Sequence, residues 1–257
     1  MRILVYTDKN YEYQAKALVE SLHLNGYADL PVLYYTVGFD SEMEYENVTK
    51  IRWELNSKHK RFPFYKPEIC LDALTKFGGD ILFLDSDILI SRRFNPEFFR
   101  HNLDYPLLSP GNWDYPYFYY LIPDDKVFPR FDNGDRINLI DVPRFGIIES
   151  ANLDRETYNV RLDWEDRTTE IPDSNISNFK VKDTYNLMKY YGVAKPTMPY
   201  LYSCCFGFND KCLRFIREWK SISENEYLND FDREYYPVAE ETAINVALWK
   251  NGATENE

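Results

Sequence analysis

The chain has 257 residues, of which 44% are hydrophobic and 28% are charged, so it is long enough to bury the core of one α/β domain. Its formal net charge of −12 argues against nucleic acid or an anionic membrane surface as the main partner, because a protein that binds a duplex needs a basic surface. The sequence has no apolar run of about 18 residues, so it predicts no transmembrane helix.

The first part of the chain alternates predicted strands with predicted helices. Hydrophobic patterning predicts strands over residues 2–7, 31–36, 48–53 and 80–84. An amphipathic helix is predicted over residues 10–24 and ends at Gly26, and a second helix begins near Pro67 and ends at Gly78-Gly79. The last strand is a continuous apolar run, which is typical of a strand covered on both faces. The order indicates a Rossmann-like, mostly parallel α/β sheet.

The pattern breaks over residues 109–198, which are rich in Pro, Asp, Asn and Tyr. We expect long loops with short strands there, and a helix over 183–191. A region of that length without regular structure is usually functional. Order returns with a predicted strand over 201–208, a helix capped by Asp210, and a last helix that starts near Glu240. The chain then ends abruptly, which suggests a domain cut from a longer protein, and a natural terminus is equally compatible with it.

The cysteines and the N-terminus indicate the compartment. The N-terminus becomes polar after six residues, which is typical of a first strand and not of a signal peptide. None of the cysteines forms a C-x-x-C pair, so we expect reduced, buried thiols and a cytoplasmic protein. The four cysteines are Cys70, Cys204, Cys205 and Cys212.

Asp85 and Asp87 interrupt an otherwise apolar run at residues 81–90. Burying an unpartnered carboxylate is costly, so the two side chains must lie at the exposed carboxyl end of the strand, bind a cation, or both. Ligands bind at that edge of open α/β sheets, and Mg²⁺ or Mn²⁺ is typically held there by one or two carboxylates together with substrate phosphates. Residues i and i+2 of an extended segment share one side, so we expect both carboxylates to face the same ligand. The alternative is an ordinary Asp-rich turn.

This segment, ILFLDSDILI, resembles the Asp-x-Asp segment of GT-A fold glycosyltransferases, and is most similar to the glycogenin-like and galactosyltransferase members of glycosyltransferase family 8. Four further segments fit in the same order. They are VYTDKNY near the N-terminus, YKPEICLDAL, SCCFGFN at 203–209 and AEETAIN at 239–245. The resemblance covers residues 1–100 and 200–250, and the middle of the chain has no counterpart in it.

The resemblance implies a role for each matched residue. The residues expected to bind the nucleotide-sugar donor are Tyr6, Thr7, Asp8, Tyr11, Lys66, Asp85 and Ser86. The expected ligands of Mn²⁺ or Mg²⁺ are Asp85 and Asp87, and the expected catalytic residues are Asp87, Glu240 and Glu241. Simpler interpretations exist for several of them. Thr7 and Asp8 suit a helix cap, Lys66 suits a solvated surface position, and acidic residues suit the start of any helix.

The implied protein is a metal-dependent glycosyltransferase that moves a sugar from a nucleotide-sugar, with UDP the expected nucleotide, to a glycan or other hydroxyl acceptor. The expected layout is one GT-A domain over residues 1–257. Residues 1–108 bind the nucleotide-sugar, 109–198 form an insertion that shapes the acceptor site, and 199–257 add the last strand and helices. Trp113, Asp114, Tyr115 and Tyr117 are the expected acceptor-site residues.

Two departures from the family pattern concern the site itself. The family completes its metal site with a C-terminal histidine, whereas no histidine of this chain lies after residue 200. The chain also has Tyr-Ser-Cys-Cys where the family has Asn-Ser-Gly. Its histidines are His23, His59 and His101.

Three alternatives to a glycosyltransferase stay open on the sequence. A sugar nucleotidyltransferase would have a Gly-rich phosphate loop after the first strand, and YTDKNYEYQ contains no glycine. An Asp-x-Asp phosphatase would carry its first aspartate after the first strand of its domain. A non-catalytic sugar- or nucleotide-binding domain would have no need of the acidic helix start.

Overall fold

The computed structural model describes most of the first 108 residues and the C-terminal strand and helices. The described residues are 1–55, 62–108, 137–138, 149–150, 187–194, 197, 201, 203–224 and 239–253. The chain divides into two compact units. The first comprises Met1–Ser109, Tyr202–Asp230 and Val238–Glu241, and the second comprises Pro110–Leu201, Phe231–Pro237 and Thr242–Glu257.

The first unit is built on a six-stranded sheet. Its strands are β1 (Arg2–Thr7), β2 (Val32–Val37), β3 (Val48–Trp53), β4 (Ile81–Leu84), β5 (Leu107–Leu108) and β8 (Cys205–Phe208). Their order is β3-β2-β1-β4-β8-β5. The pairs among β1, β2, β3 and β4 are parallel, and β8 runs antiparallel to both β4 and β5. The predicted α/β class with a mostly parallel sheet is therefore confirmed, and the sheet is compatible with a Rossmann-like fold, with an antiparallel strand inserted beside β4.

The helices bury the faces that the sequence pattern predicts. They are α1 (Glu12–Leu24), α2 (Tyr65–Phe77), α3 (Leu213–Ser223) and α4 (Ala239–Lys250). Leu18 and Leu22 of α1 are fully buried and pack in one cluster with Ile3 of β1 and Leu82 of β4. These strands are buried on both faces, as the continuous apolar runs indicate.

The end of α2 fixes the point at which β4 begins. Gly78 and Gly79 have φ angles of 59° and 68°, which are left-handed values that favour glycine. Pro67 lies in the first turn of α2, where its missing N–H is tolerated. The helix therefore starts and stops close to where the sequence places it, and β4 follows at once.

The cap of the 3₁₀ turn that precedes α3 differs from the prediction. The side chain of Asn209, not that of Asp210, accepts the capping hydrogen bond, from the backbone N–H of Lys211 at 3.1 Å. Asp210 instead accepts a hydrogen bond from the backbone N–H of Gly79 at 3.0 Å. This bond links the 3₁₀ turn before α3 to the glycines that follow α2. A short polar residue suits either position, so the sequence alone did not separate them.

The strand predicted over 201–208 is shorter in the structure, and its ladder spans Cys205–Phe208. The backbone oxygen of Ser203, which precedes this ladder, accepts a hydrogen bond from the side chain of Lys66.

The second unit is described in part. It contains β6 (Ile137–Asn138) and β7 (Glu149–Ser150), which pair antiparallel, a helical segment over 187–190, and the part of α4 from Thr242 onward. The helix predicted over 183–191 is thus found in its described part. Among the helices that the structure describes, none combines the length and hydropathy needed to span a bilayer.

Candidate active site

Lys66, in the first turn of α2, is the centre of a buried charge cluster in the first unit. Its side chain is 4% exposed. Its Nζ atom lies 3.0 Å from Asp85 Oδ1 and 2.8 Å from Glu240 Oε1. It also donates to the backbone oxygen and to the Oγ atom of Ser203, both at 3.1 Å. The aromatic ring of Phe83 lies beneath the ammonium, with its centroid at 5.1 Å. One ammonium thus joins three segments that are far apart in sequence.

Asp85 reaches this cluster because β4 ends just before it. Its backbone N–H donates to the oxygen of Cys204 at 2.8 Å, which extends the pairing of β4 with β8 by one step. The N–H of Ile88 then donates to the oxygen of Asp85 at 3.1 Å and closes a turn. The Asp-x-Asp segment is therefore a turn and not the extended segment that the spacing argument assumed. Ser86 is half-buried, and Asp87 is exposed at the tip of the turn.

Glu240 is held from several directions in the first turn of α4. Its Oε1 atom accepts a hydrogen bond from Ser203 Oγ at 3.0 Å in addition to its ion pair with Lys66. The backbone oxygen of Glu240 accepts a hydrogen bond from the indole N–H of Trp219 at 3.0 Å. Glu240 and Glu241 are both buried, and the backbone N–H of Glu241 donates to Glu240 Oε2.

The cluster holds more negative than positive charge. Burial by itself lowers the pKa of Lys66, but the carboxylates of Asp85 and Glu240 outweigh it and hold that pKa well above its usual value. Burial raises the pKa of Asp85 to about 7, an effect that Lys66 opposes and Glu240 strengthens. Because 28% of the Asp85 side chain is exposed, solvent partly screens this shift. Two carboxylates share one ammonium here, before Asp87 is counted.

The residues expected at the nucleotide lie at the end of β1, and they divide into two groups. Tyr6 is buried, stacks on Phe62 with ring centroids 4.7 Å apart, and interacts electrostatically with Lys66. Burial raises the pKa of its phenol well above the usual value. Thr7 is also buried, and its hydroxyl donates to the backbone oxygen of Asp8 at 3.0 Å.

Asp8 and Tyr11 form the turn that leads into α1. The Oδ1 atom of Asp8 accepts hydrogen bonds from the backbone N–H groups of Asn10 and Tyr11, at 2.9 and 3.0 Å. This contact matches the simpler interpretation of Asp8 as a residue that organises the helix start. The ring of Tyr11 is 48% exposed and is free to meet a ligand from solvent.

Trp219 is the supporting residue that the sequence did not identify. The pattern of α3 predicted only that its ring packs in the core, and it is fully buried. A buried tryptophan usually has a hydrogen-bond partner for its indole N–H, so the sequence predicts such a bond for Trp219 without identifying the acceptor. Which carbonyl it meets depends on the packing of α3 against the start of α4.

The oxygen ligands of Asp85 and Asp87 fit a hard divalent cation, and the net negative charge around Lys66 favours one. Within the described part of the chain, no group of three His, Cys, Asp or Glu side chains is placed to hold a metal. His23 contacts Asn47 Oδ1, and both ring nitrogens of His101 contact backbone groups.

Several predicted residues lie outside the described part of the chain. They are His59 and the expected acceptor-site residues Trp113, Asp114, Tyr115 and Tyr117. A scan against models of known protein families finds no match, and a search of curated proteins returns no protein that matches the chain.

Proposed function

We propose that this protein is a metal-dependent glycosyltransferase of the GT-A type, which transfers a sugar from a UDP-sugar to a hydroxyl acceptor. The observation that carries the proposal is the convergence of Lys66, Asp85 and Glu240 in one cluster. The family resemblance assigns these three positions to the donor diphosphate, the metal and the sugar. Residues with those roles must meet at a single site, although they are far apart in sequence.

The position of the cluster in the sheet supports a nucleotide site. β1 and β4 are adjacent and parallel, so their carboxyl ends lie at the same edge of the sheet. Tyr6 is near the end of β1 and Asp85 comes directly after β4, so both residues lie at that edge. In open α/β sheets, ligands bind in the crevice outside those ends. The exposed ring of Tyr11 and the exposed carboxylate of Asp87 belong to the loops at that same edge.

The residues of the chain would divide the chemistry among them. A divalent cation held by Asp85 and Asp87 would supply Lewis-acid stabilisation of the departing diphosphate. Lys66 holds the carboxylates of Asp85 and Glu240 in place through its ion pairs with both. Glu240 would stabilise the positive charge that develops on the sugar if the enzyme retains configuration, or accept the acceptor's proton if it inverts. Glu241 is the second candidate for that role.

A specific observation favours one alternative, a non-catalytic binding domain. Lys66 already neutralises much of the charge on Asp85 and Glu240, and a buried ion network of this kind can serve stability alone. A sugar nucleotidyltransferase has less support, since the turn between β1 and α1 is closed by the side chain of Asp8 and contains no glycine.

A thermal-shift panel of UDP-, GDP- and dTDP-sugars, each with and without Mn²⁺, tests the proposal. Ligand binding stabilises the native state by mass action, by about 2.7 kcal/mol at a hundredfold excess of ligand over Kd. The thermal midpoint of unfolding rises as a result. We expect a UDP-sugar and Mn²⁺ together to raise the midpoint more than either alone. A midpoint that no nucleotide-sugar moves would contradict the proposal. Binding without donor turnover would favour the non-catalytic alternative.

A further inference from the structure

The two aspartates of the Asp-x-Asp turn have unequal surroundings. Both carboxylate oxygens of Asp85 face Lys66, with Nζ at 3.0 Å from Oδ1 and 3.3 Å from Oδ2. Asp87 is exposed, and among the described residues none forms a hydrogen bond or ion pair with it. Asp85 therefore already has a cation beside it, whereas Asp87 has no described side chain as a partner.

We propose that Lys66 is a built-in counter-cation that competes with the divalent metal for Asp85, and so sets the affinity of the site for that metal. The proposal rests on the metal site of the proposed function. A metal ion arriving from solvent meets an Asp87 carboxylate that no described side chain neutralises. The metal ion must share the carboxylate of Asp85 with the ammonium of Lys66.

The ammonium has no route away from Asp85. Its side chain is 4% exposed, and it is held as well by Glu240 at 2.8 Å and by both oxygens of Ser203 at 3.1 Å. Its positive charge therefore stays in place when a second cation binds. Like charges a few ångströms apart in a partly buried site repel enough to change an affinity by about tenfold or more.

A calorimetric titration with Mn²⁺ alone, in the absence of any nucleotide-sugar donor, tests this competition. The variant Lys66→Gln removes the charge and keeps a hydrogen-bond donor, and we expect its Kd for Mn²⁺ to be about tenfold lower than that of the wild type. The matched control is Lys76→Gln. Lys76 is also in α2 and also pairs with an aspartate, Asp72 at 3.0 Å, but it is exposed. The Kd of Lys76→Gln for Mn²⁺ should equal that of the wild type. Equal affinities in all three proteins would overturn the competition.

A measurement on the wild-type protein covers the case in which Lys66→Gln does not fold. Among the described lysines only Lys66 is buried, so its ammonium protons should exchange slowly enough to give an NMR signal. The signal is assigned by its loss in Lys66→Arg. We expect Mg²⁺, which is diamagnetic, to shift it. A signal that stays in place while Mg²⁺ saturates the site would contradict the proposal.

The two hypotheses fail in different ways. A wild-type protein that binds neither Mn²⁺ nor Mg²⁺ at millimolar concentrations would remove the metal from the proposed function, and the competition with it. Metal binding that is insensitive to Lys66 would overturn the competition alone and leave the metal site standing.

Discussion

Lys66 is the residue on which the site depends, because its ammonium is the one buried cation among the described side chains and it has two carboxylate partners. Removing one partner of a buried ion pair typically costs about 3–5 kcal/mol, since it leaves an uncompensated charge behind. The cluster is therefore far more sensitive to substitution than the exposed ion pairs of the protein, such as Arg52 with Asp40. The chemistry proposed for Glu240 depends on this placement.

Glu240→Gln tests that chemistry at the residue scale. The amide can still accept the hydrogen bond from Ser203, but it carries no charge beside Lys66. We expect kcat to fall by about a hundredfold or more, with little change in the Kd for the donor. Steady-state kinetics and donor titration measure the two quantities.

The control for that variant is Glu68→Gln, which removes a carboxylate from another glutamate–lysine pair of the first unit, with Lys220 at 3.4 Å. Its kcat should match that of the wild type. Unchanged turnover in both Glu240→Gln and Glu241→Gln would remove both glutamates from the mechanism.

At the scale of elements, local patterns predicted what lies close in sequence. The bounds of β1 and β3 match the prediction residue for residue. In β1 a continuous apolar run defines the strand locally. The insertion of β8 between β4 and β5 was not predictable, since it depends on pairing between distant segments. The meeting of Ser203 with Lys66 follows from that pairing.

The close approach of β8 to the segment after β4 predicts the effect of Gly207→Ala. A Cβ atom at Gly207 would lie 2.4 Å from the backbone oxygen of Phe99 and 2.8 Å from its Cβ atom. Since the obstacle is backbone, we expect a loss of about 1–3 kcal/mol in the free energy of unfolding, measured by urea denaturation. A variant as stable as the wild type would show that β8 and Phe99 are not so closely packed.

Gly192→Ala is the comparison for that variant, because nothing lies within 4 Å of the Cβ atom that it adds. The strain expected there comes only from the backbone of residue 192, which has a φ of 72°. A left-handed alanine costs about 1–2 kcal/mol without any steric contact. A larger loss at Gly207 than at Gly192 would therefore report packing and not backbone conformation.

For the whole molecule, the net charge of −12 opposes the approach of a doubly charged diphosphate. A donor site in such a protein needs local positive charge. In the described part of the edge where β1 and β4 end, the buried cation is Lys66, which is already paired with Asp85 and Glu240. The metal is therefore central to the proposed function, and Asp87, which is exposed and has no hydrogen-bond or ion-pair partner among the described residues, is the carboxylate that would bring it in.

The most direct test of that claim is turnover of a UDP-sugar by the wild type and by Asp87→Ala, each with Mn²⁺ and after chelation. Asp87 is exposed, so its removal should leave the free energy of unfolding within about 0.5 kcal/mol of the wild type. Asp29→Ala is the matched control, since Asp29 is an exposed turn aspartate that precedes β2, at the edge where the parallel strands begin. We predict Mn²⁺-dependent turnover in the wild type and in Asp29→Ala, and none in Asp87→Ala or after chelation. Full activity in Asp87→Ala, or turnover that survives removal of the metal, would contradict a metal-dependent glycosyltransferase.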